Sequence, residues 1–425
     1  MTQPEDNMNT RKIGIINHWM VNNYGALWNA AGSVMYGLNS FIMLALVSRV
    51  GTVEEAGCFG IAFTTAQMLY IVGLFGVSHY QMTDYAERFP FSTYAVVRAL
   101  TCILMGFCCC GAELVMGFDG IKRSYTVCLT ALMMLNVIGE LYQSLFFQKN
   151  RLDLSGSALF FRTLWPLMGF SGILVLSRNV LLAVAVQVGM NLAVTLWYRI
   201  RVVPRFLREP ESGRSKAKAG ELLKECVPLA VSLFLMNLVI NMSKYGIEFV
   251  GDNTVQGYYS MIFMPAQVIN MVGQFLFKPF LNQYAALLGE KKTKDFYELL
   301  KNQMLLIAGF TLVCCLGAYL LGAPVLGLLY NKDLSGFAVP LTLVVLGGGF
   351  FALCELFYFI LVILREQSKI LWIYLGAALI SGALSPVMIS AWGIGGAVLA
   401  FVLTHLGIVL CYFAVLPFVL HPRRP

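Results

Sequence analysis

Charged and amide side chains within strongly apolar stretches are the residues of this chain that could do chemistry. Asn237, Asn241, Lys244 and Glu248 follow one another at intervals of four, three and four residues. Helical periodicity places all four on one helix face. A charge inside a membrane costs free energy unless it is paired or hydrated, so this polar stripe is a candidate transport site. The alternative is an internal ion pair between Lys244 and Glu248 on the same helix.

Four further charges lie within apolar stretches at a similar depth from their ends. Arg98 and Arg162 are basic, and Glu140 and Glu355 are acidic. One interpretation is that they form ion pairs that fix helices to each other. The other is a basic site for a phosphate headgroup, because the guanidinium group can bind phosphate through two parallel hydrogen bonds. The residues alone favour neither interpretation.

The composition indicates what positions these side chains. The chain has 425 residues, of which 58% are hydrophobic and only 12% charged, about half the charge of a typical soluble domain. Apolar runs recur that are long enough to cross about 30 Å of hydrocarbon as helices, and they lack the alternation of membrane strands. We therefore predict an all-α polytopic membrane protein with twelve transmembrane helices, at 25–48, 56–78, 93–116, 125–148, 155–177, 180–199, 225–249, 255–279, 302–323, 338–363, 369–390 and 393–417.

One stretch of the sequence occurs twice, at residues 50–75 and 250–275, with an offset of 200 and no gap. Nine of the 26 positions are identical, including the pairs Gly57/Gly257 and Gln67/Gln267, where chance would give about two. Six helices precede the polar linker, so both halves enter the membrane in the same sense. The repeat predicts two six-helix bundles related by a parallel pseudo-two-fold axis.

The repeat and the loops together predict the domain organisation. An N-terminal segment, 1–24, is either an interfacial helix or a polar lead-in. It precedes an N-terminal bundle at 25–199, a linker at 200–224, a C-terminal bundle at 225–417 and a tail at 418–425. With the N-terminus in the cytoplasm, 21 Lys and Arg lie in cytoplasmic loops and five in outer loops. This asymmetry predicts a multi-pass protein of the cytoplasmic membrane with both termini inside, and it explains the net charge of +8 without nucleic acid.

The sequence has none of the motifs that would indicate an enzyme. There is no Walker loop, no HExxH and no GxSxG, and the eleven cysteines form no CxxC or Cys/His cluster. We therefore predict no catalytic residues, no cofactor and no metal site.

The segment LWNAAGSVMYGLNSFIMLALVSRVGTVEEAGCFGIAFTTAQ, followed by GLFGVSHYQMTD, resembles the start of bacterial polysaccharide transporters, the Wzx-type flippases. These belong to the multidrug/oligosaccharidyl-lipid/polysaccharide exporter (MOP) superfamily. The resemblance implies transport of an undecaprenyl-pyrophosphate-linked oligosaccharide from the inner to the outer leaflet by alternating access. It also implies that helices 1, 2, 7 and 8 line a central cavity. The family often has Arg where this chain has Ser78 and His79, which leaves a cytoplasmic gate charge unassigned.

On this basis we assign candidate roles to ten residues. The candidate substrate contacts are Lys244, Asn241, Asn237, Gln67, Gln267, Arg98 and Arg162, and the candidate coupling or gating residues are Glu248, Glu140 and Glu355. The expected partners are the lipid-linked oligosaccharide, the bilayer and a coupling ion, either a proton or sodium. Two other functions stay open: an ion-coupled drug or cation antiporter of the same superfamily, and a membrane glycosyltransferase or polymerase.

The charge asymmetry makes a testable prediction about topology. Single cysteines placed at Ser212 and Ser335 in a cysteine-free variant should react differently with an impermeant thiol reagent added to intact cells. Ser335→Cys should label from outside, and Ser212→Cys should label only after the membrane is opened. Labelling of Ser212→Cys in intact cells would reverse the predicted orientation.

Overall fold

The computed structural model describes residues 5–84, 87–118, 120–207, 215–290 and 292–420, and for 5–23 and 215–217 only the backbone. All regular secondary structure of the described residues is helical, as predicted. The helices are α1 Glu5–Val50, α2 Val53–Leu74, α3 Val77–Thr83, α4 Phe91–Met116, α5 Gly120–Gln148, α6 Leu152–Ser177, α7 Val180–Arg201, α8 Ser215–Val250, α9 Asn253–Phe277, α10 Leu281–Gly289, α11 Thr293–Gly317, α12 Ala323–Tyr330, α13 Ala338–Ile363 and α14 Gln367–Leu420.

Eleven helical stretches of the described residues are long and apolar enough to cross a membrane. The last of them, α14, has 54 residues and would be about 80 Å long if straight, more than twice the thickness of the hydrocarbon. Its backbone leaves the helical conformation at Gly393, with φ 56° and ψ −130°, so two helices meet there. This division agrees with the predicted spans 369–390 and 393–417.

Three predicted segments reach beyond the described residues. Of the N-terminal segment, residues 1–4 lie outside them, and the backbone of 5–23 is helical and continuous with the first span. Residues 208–214 of the linker and 421–425 of the tail also lie outside them. The short helices α3 and α10 are features that the sequence analysis did not predict. Each follows a break in the preceding helix, at Gly76 with φ 70° and at the turn Lys278–Phe280, which contains Pro279.

The chain divides into two compact units, each containing parts of both predicted halves. One unit contains 1–43, 69–112 and 124–230, and its buried core includes Val77, Tyr94 and Phe146. The other contains 44–68, 113–123 and 231–425, and its buried core includes Phe277, Phe357 and Tyr412. The boundaries of the two six-helix bundles therefore stay a prediction.

Both copies of the repeated stretch use a glycine to pack against another helix of the same unit. A Cβ at Gly73 would lie 2.7 Å from a methyl group of Val137 on α5, and a Cβ at Gly273 would lie 2.7 Å from Cβ of Ala352 on α13. The helices α5 and α13 are the fourth and tenth predicted spans, six apart. The repeated glycine thus serves the same local packing in both copies, because any side chain would separate the helices.

The kink in α14 predicts opposite effects for two nearby glycines. Gly393→Ala should lower the melting temperature of the purified protein, because a non-Gly residue at this φ and ψ costs about 1–3 kcal/mol. Gly395→Ala should leave it unchanged or raise it, since a Cβ there would have no atom within 4 Å and Ala is the better helix former. Equal melting temperatures for the two variants would contradict the assigned backbone conformation.

Candidate functional site

The ammonium group of Lys244 is buried on α8, in the unit that contains most of the C-terminal half. Its side chain is 5% exposed. Nζ donates a hydrogen bond to Oγ1 of Thr64 on α2 at 3.2 Å and lies 4.6 Å from the ring centroid of Phe263 on α9. No carboxylate of the described residues forms an ion pair with it. A hydroxyl oxygen and an aromatic face stabilise a cation less than an anion does, so Lys244 is available to an anionic group.

Glu248, one turn further along α8, does not pair with Lys244, the partner that the spacing in the sequence allowed. Its carboxylate forms an ion pair with Nζ of Lys122 near the start of α5. Lys244 faces α2 instead, so the internal Lys244–Glu248 pair that the spacing allowed is not formed. The two charges of the stripe thus act separately in the structure.

The amide side chains of the stripe are only partly satisfied. Nδ2 of Asn237 donates to the carbonyl of Leu233 at 2.9 Å, and Nδ2 of Asn241 donates to the carbonyl of Asn237 at 3.0 Å. Oδ1 of Asn241 is buried and has no hydrogen-bond partner among the described residues. Asn241 precedes Lys244 by three residues, so the unsatisfied oxygen lies on the same face of α8.

Gln67 and Gln267 are half-buried residues of the same unit. Gln67 lies three residues after Thr64, and therefore one turn away on the same face of α2. The structure thus places Gln67 near the helix surface that contacts Lys244. Gln267 occupies the corresponding position on α9, four residues after Phe263.

Arg98 on α4 is almost fully buried and is occupied by groups of the protein. Its Nη1 donates to the carbonyls of Gly73 at 3.1 Å and Leu74 at 2.8 Å, and Nη2 donates to Oγ of Ser78. The last carbonyls of a helix have no partner within it, and α2 ends at Leu74. Arg98 therefore caps α2, and this geometry favours a structural role over headgroup binding.

Arg162 on α6 lies against Glu140 on α5. Its Nη2 is 3.7 Å from Oε2 of Glu140, too far for a hydrogen bond, and has no other partner among the described residues. The guanidinium occupies the space that a Cβ at Gly139 would need, 1.5 Å from Nη1. The charges of this pair also act on Tyr36 and Tyr70, whose hydroxyls interact with each other. The cluster combines a loosely held ion pair with two phenols inside one unit.

Glu355 on α13 is 8% exposed and forms no ion pair within 4 Å among the described residues. Asn270, Gln274 and Lys278 of the neighbouring segment act on its carboxylate. Oε2 of Glu355 and Oδ1 of Asn270 are buried without a hydrogen-bond donor. These two oxygens form an acceptor-rich site of the kind that binds a proton or a small cation.

An ion-pair cluster that the sequence analysis missed lies between α3 and α8. Nη2 of Arg88 pairs with Glu221 and, at 2.9 Å, with Glu225, and Nη1 donates to the hydroxyl of Tyr80 at 3.2 Å. Burial and the neighbouring Glu225 raise the pKa of Tyr80 to about 12, and the hydrogen bond to Glu221 raises the pKa of Arg88. Arg88 therefore provides a positive charge at the predicted cytoplasmic ends of the helices. This is the region where Ser78 and His79 replace the arginine that the resembled family often has.

A cavity of about 480 Å³ lies in the second unit, and no predicted site residue lines it. It is bounded by Thr52, Glu54, Glu55, Cys58, Ile121, Lys122 and Asn253. Lys122 connects this cavity to the stripe through its ion pair with Glu248.

Over more than nine tenths of its length, the chain is similar in fold to solved membrane transporters. No protein-family model and no curated protein matches the sequence. Among solved structures, the chain is similar to the eukaryotic MATE transporter AtDTX14, with 15% identity, 95% of this chain and 96% of that chain covered and a TM-score of 0.66. It is also similar to the lipid II flippase MurJ in an inward closed conformation, with 12% identity, 92% and 87% covered and a TM-score of 0.71.

A third similar structure is a MOP superfamily transporter from Pyrococcus furiosus, for which reverse polarity of the binding pocket suggested a different function. It is 14% identical, with 93% of this chain and 94% of that chain covered and a TM-score of 0.62. The chain therefore shares the fold of these membrane transporters, and eleven helical stretches of its described residues are long and apolar enough to span a membrane. These similarities show the fold and do not identify the transported substrate.

The cap on α2 makes a prediction about Arg98. Arg98→Met should lower the melting temperature of the purified protein by several degrees, because one buried and one partly buried helix carbonyl lose a charged donor, at about 1.5–3 kcal/mol for each hydrogen bond. Arg201→Met, the same change at an exposed position of α7, should have little effect. If Arg98→Met retained full thermal stability but lost transport, Arg98 would return to the list of substrate contacts.

Proposed function

We propose that this protein moves an undecaprenyl-pyrophosphate-linked oligosaccharide from the inner to the outer leaflet of the bacterial cytoplasmic membrane by alternating access. The observation that carries the proposal is the state of Lys244: a buried ammonium group with a hydroxyl and an aromatic ring as neighbours and no carboxylate partner among the described residues. Among those residues it is the only buried lysine. The fold shared with a lipid II flippase supports the same class of substrate.

A pyrophosphate headgroup needs such a cation on its path. Moving an unpaired anion from water into an apolar medium costs many kcal/mol, and a partner of opposite charge offsets most of that cost. Lys244 lies on α8 about six residues before the helix ends at Val250, which corresponds to roughly 9 Å along the helix axis. The headgroup would exchange the Thr64 hydroxyl for phosphate oxygens, which are the stronger acceptors.

The amide groups next to Lys244 suit the sugar part of the substrate. Oδ1 of Asn241 is an unsatisfied acceptor, and the half-buried Gln67, Gln267 and Asn237 carry further donors and acceptors. Sugar hydroxyls both donate and accept hydrogen bonds, as amides do. In this proposal Arg162 and Glu140 add a second, weaker contact for the headgroup, and Glu248 with Lys122 adjusts release. Arg98 serves the fold.

The proposal includes the predicted organisation and location of the chain. Two parallel six-helix bundles, 25–199 and 225–417, move against each other, and both termini lie in the cytoplasm. The loop charges support this orientation. Arg88 with Glu221 and Glu225 then closes the cytoplasmic end, and exposed ion pairs of this kind are weak enough to break in each cycle.

An ion-coupled drug or cation antiporter is the second candidate function. The observation that favours it is Glu355, a buried carboxylate without an ion pair among the described residues and next to the unsatisfied oxygen of Asn270. A cation substrate or a coupling ion would bind there. In the flippase proposal the same site binds the coupling ion, a proton or sodium. Glu355 would therefore have a role in either function, and Lys244 is the residue that distinguishes the flippase from the antiporter.

Substitutions at Lys244 test the proposal. In a strain lacking the native gene, Lys244→Ala and Lys244→Glu should leave lipid-linked sugars accumulated at the inner leaflet, measured by mass spectrometry, with normal amounts of protein in the membrane. Lys244→Arg should restore part of the export, because it keeps the charge. Lys301→Ala, at an exposed position of α11, is the matched control and should export normally.

The double variant Lys244→Ala with Glu248→Gln separates substrate binding from charge balance. Glu248 pairs with Lys122 and not with Lys244, so the second change should not restore export. Full export by the double variant would remove Lys244 from the substrate path.

A further inference from the structure

The two copies of the repeated stretch meet each other through reciprocal backbone contacts. A Cβ at Gly57 on α2 would lie 1.9 Å from the carbonyl oxygen of Asn253, and a Cβ at Gly257 on α9 would lie 2.2 Å from the carbonyl oxygen of Val53. Residues 53 and 253, like 57 and 257, are equivalent under the offset of 200. Gly57 thus contacts the equivalent of Val53, and Val53 contacts the equivalent of Gly57. A two-fold axis produces reciprocal contacts of this kind.

One turn further along, the equivalent residues Gly60 and Ser260 face each other directly. A Cβ at Gly60 would lie 2.6 Å from Oγ of Ser260, and Ser260 is 3% exposed. We call this set of contacts, formed by Val53, Gly57 and Gly60 with Asn253, Gly257 and Ser260, the α2–α9 contact. It lies toward the helix ends predicted to face outside. Only small residues allow the two backbones to approach so closely.

Thr64 connects this contact to Lys244. Its Oγ1 donates to the carbonyl of Gly60 at 2.8 Å and accepts the hydrogen bond from Lys244 at 3.2 Å. Gly60 is itself part of the α2–α9 contact. Lys244 also lies over the ring of Phe263 on α9, so its ammonium touches both helices that form the contact.

We propose that the α2–α9 contact is the outer gate and that Thr64 is the positioning residue that couples the gate to substrate, because its hydroxyl competes with the substrate headgroup for Lys244. While Lys244 donates to Thr64 it holds α2 to α8 and α9. An anionic headgroup withdraws the ammonium from Thr64, and the gate loses the hydrogen bond by which Lys244 links α8 to α2. The coupling to the headgroup rests on the function proposed above; the gate itself does not.

A buried cysteine within the contact measures how often the gate opens. Ser260→Cys, as the single cysteine of the full-length protein in lipid nanodiscs, should react slowly with a water-soluble thiol reagent, at a rate proportional to the open population. Adding Thr64→Val should raise that rate about tenfold, the change expected when a hydrogen bond to a charged group is lost. Adding Lys244→Met should raise it at least as much, because this change also removes the contact with the Phe263 ring. The two changes together should raise it no further than Lys244→Met alone, because the bond to Thr64 is then already lost.

Thr163→Val is the matched control. Thr163 on α6 is a buried threonine with the same bond to the carbonyl four residues before it, at 2.8 Å, and no lysine of the described residues donates to it. The proposal is overturned if Thr64→Val labels no faster than Thr163→Val, or if the two changes at Thr64 and Lys244 are additive.

Undecaprenyl pyrophosphate added to the nanodiscs tests the coupling. It should speed labelling in the Ser260→Cys protein and leave the rate unchanged once Lys244→Met or Thr64→Val is present. Equal acceleration with and without Thr64→Val would overturn the role of Thr64. If the two substitutions open the gate but the lipid has no effect on the starting protein, the gate stands and the proposed substrate is wrong.

Discussion

The structure depends on one constraint: a charged or polar group within hydrocarbon must find a partner inside the protein. Arg98 meets it by capping the carbonyl end of α2, Glu248 by pairing with Lys122, and Arg162 by lying against Glu140. These partnerships fix which helices are neighbours. Lys244 meets the constraint least completely, with a hydroxyl and a ring. A cation held so weakly by the protein is the feature from which the proposed substrate site is argued.

The glycines of the repeated stretch show how the same residue serves two purposes. Gly73 and Gly273 pack α2 and α9 against α5 and α13, and these contacts hold each local group of helices together. Gly57 and Gly257 instead let α2 and α9 approach each other. The first kind of contact joins helices within a predicted bundle and the second joins the two predicted bundles. A transporter that alternates between two states needs the first to be permanent and the second to be reversible.

Two buried sites distinguish the functions that this fold supports. The Lys244 site offers a cation to an anion, and the Glu355 site offers oxygens to a cation or a proton. A flippase driven by an ion gradient would use both, whereas a cation antiporter would use the second alone. The similar solved structures include MATE transporters and a lipid II flippase, so the fold permits either arrangement. The side chains at these two sites therefore carry the functional argument.

The sequence by itself determined that the chain is built of long apolar helices and located most of them, because a span needs about twenty apolar residues and this signal is local. It also indicated that residues 237–248 carry a polar stripe and that 50–75 recurs at 250–275, since periodicity and repetition need no knowledge of contacts. The sequence could not show which residue each buried charge contacts.

The spacing allowed Lys244 to pair with Glu248, but in the structure Lys244 contacts Thr64 and Glu248 contacts Lys122. From the sequence, Arg98 was a candidate for binding a headgroup, but in the structure it donates to the carbonyls of Gly73 and Leu74. The ion pairs of Arg88 could not be predicted, because its acidic partners lie more than 130 residues away in the sequence. Which charges are satisfied is a property of neighbours in space, and only the tertiary structure decides it.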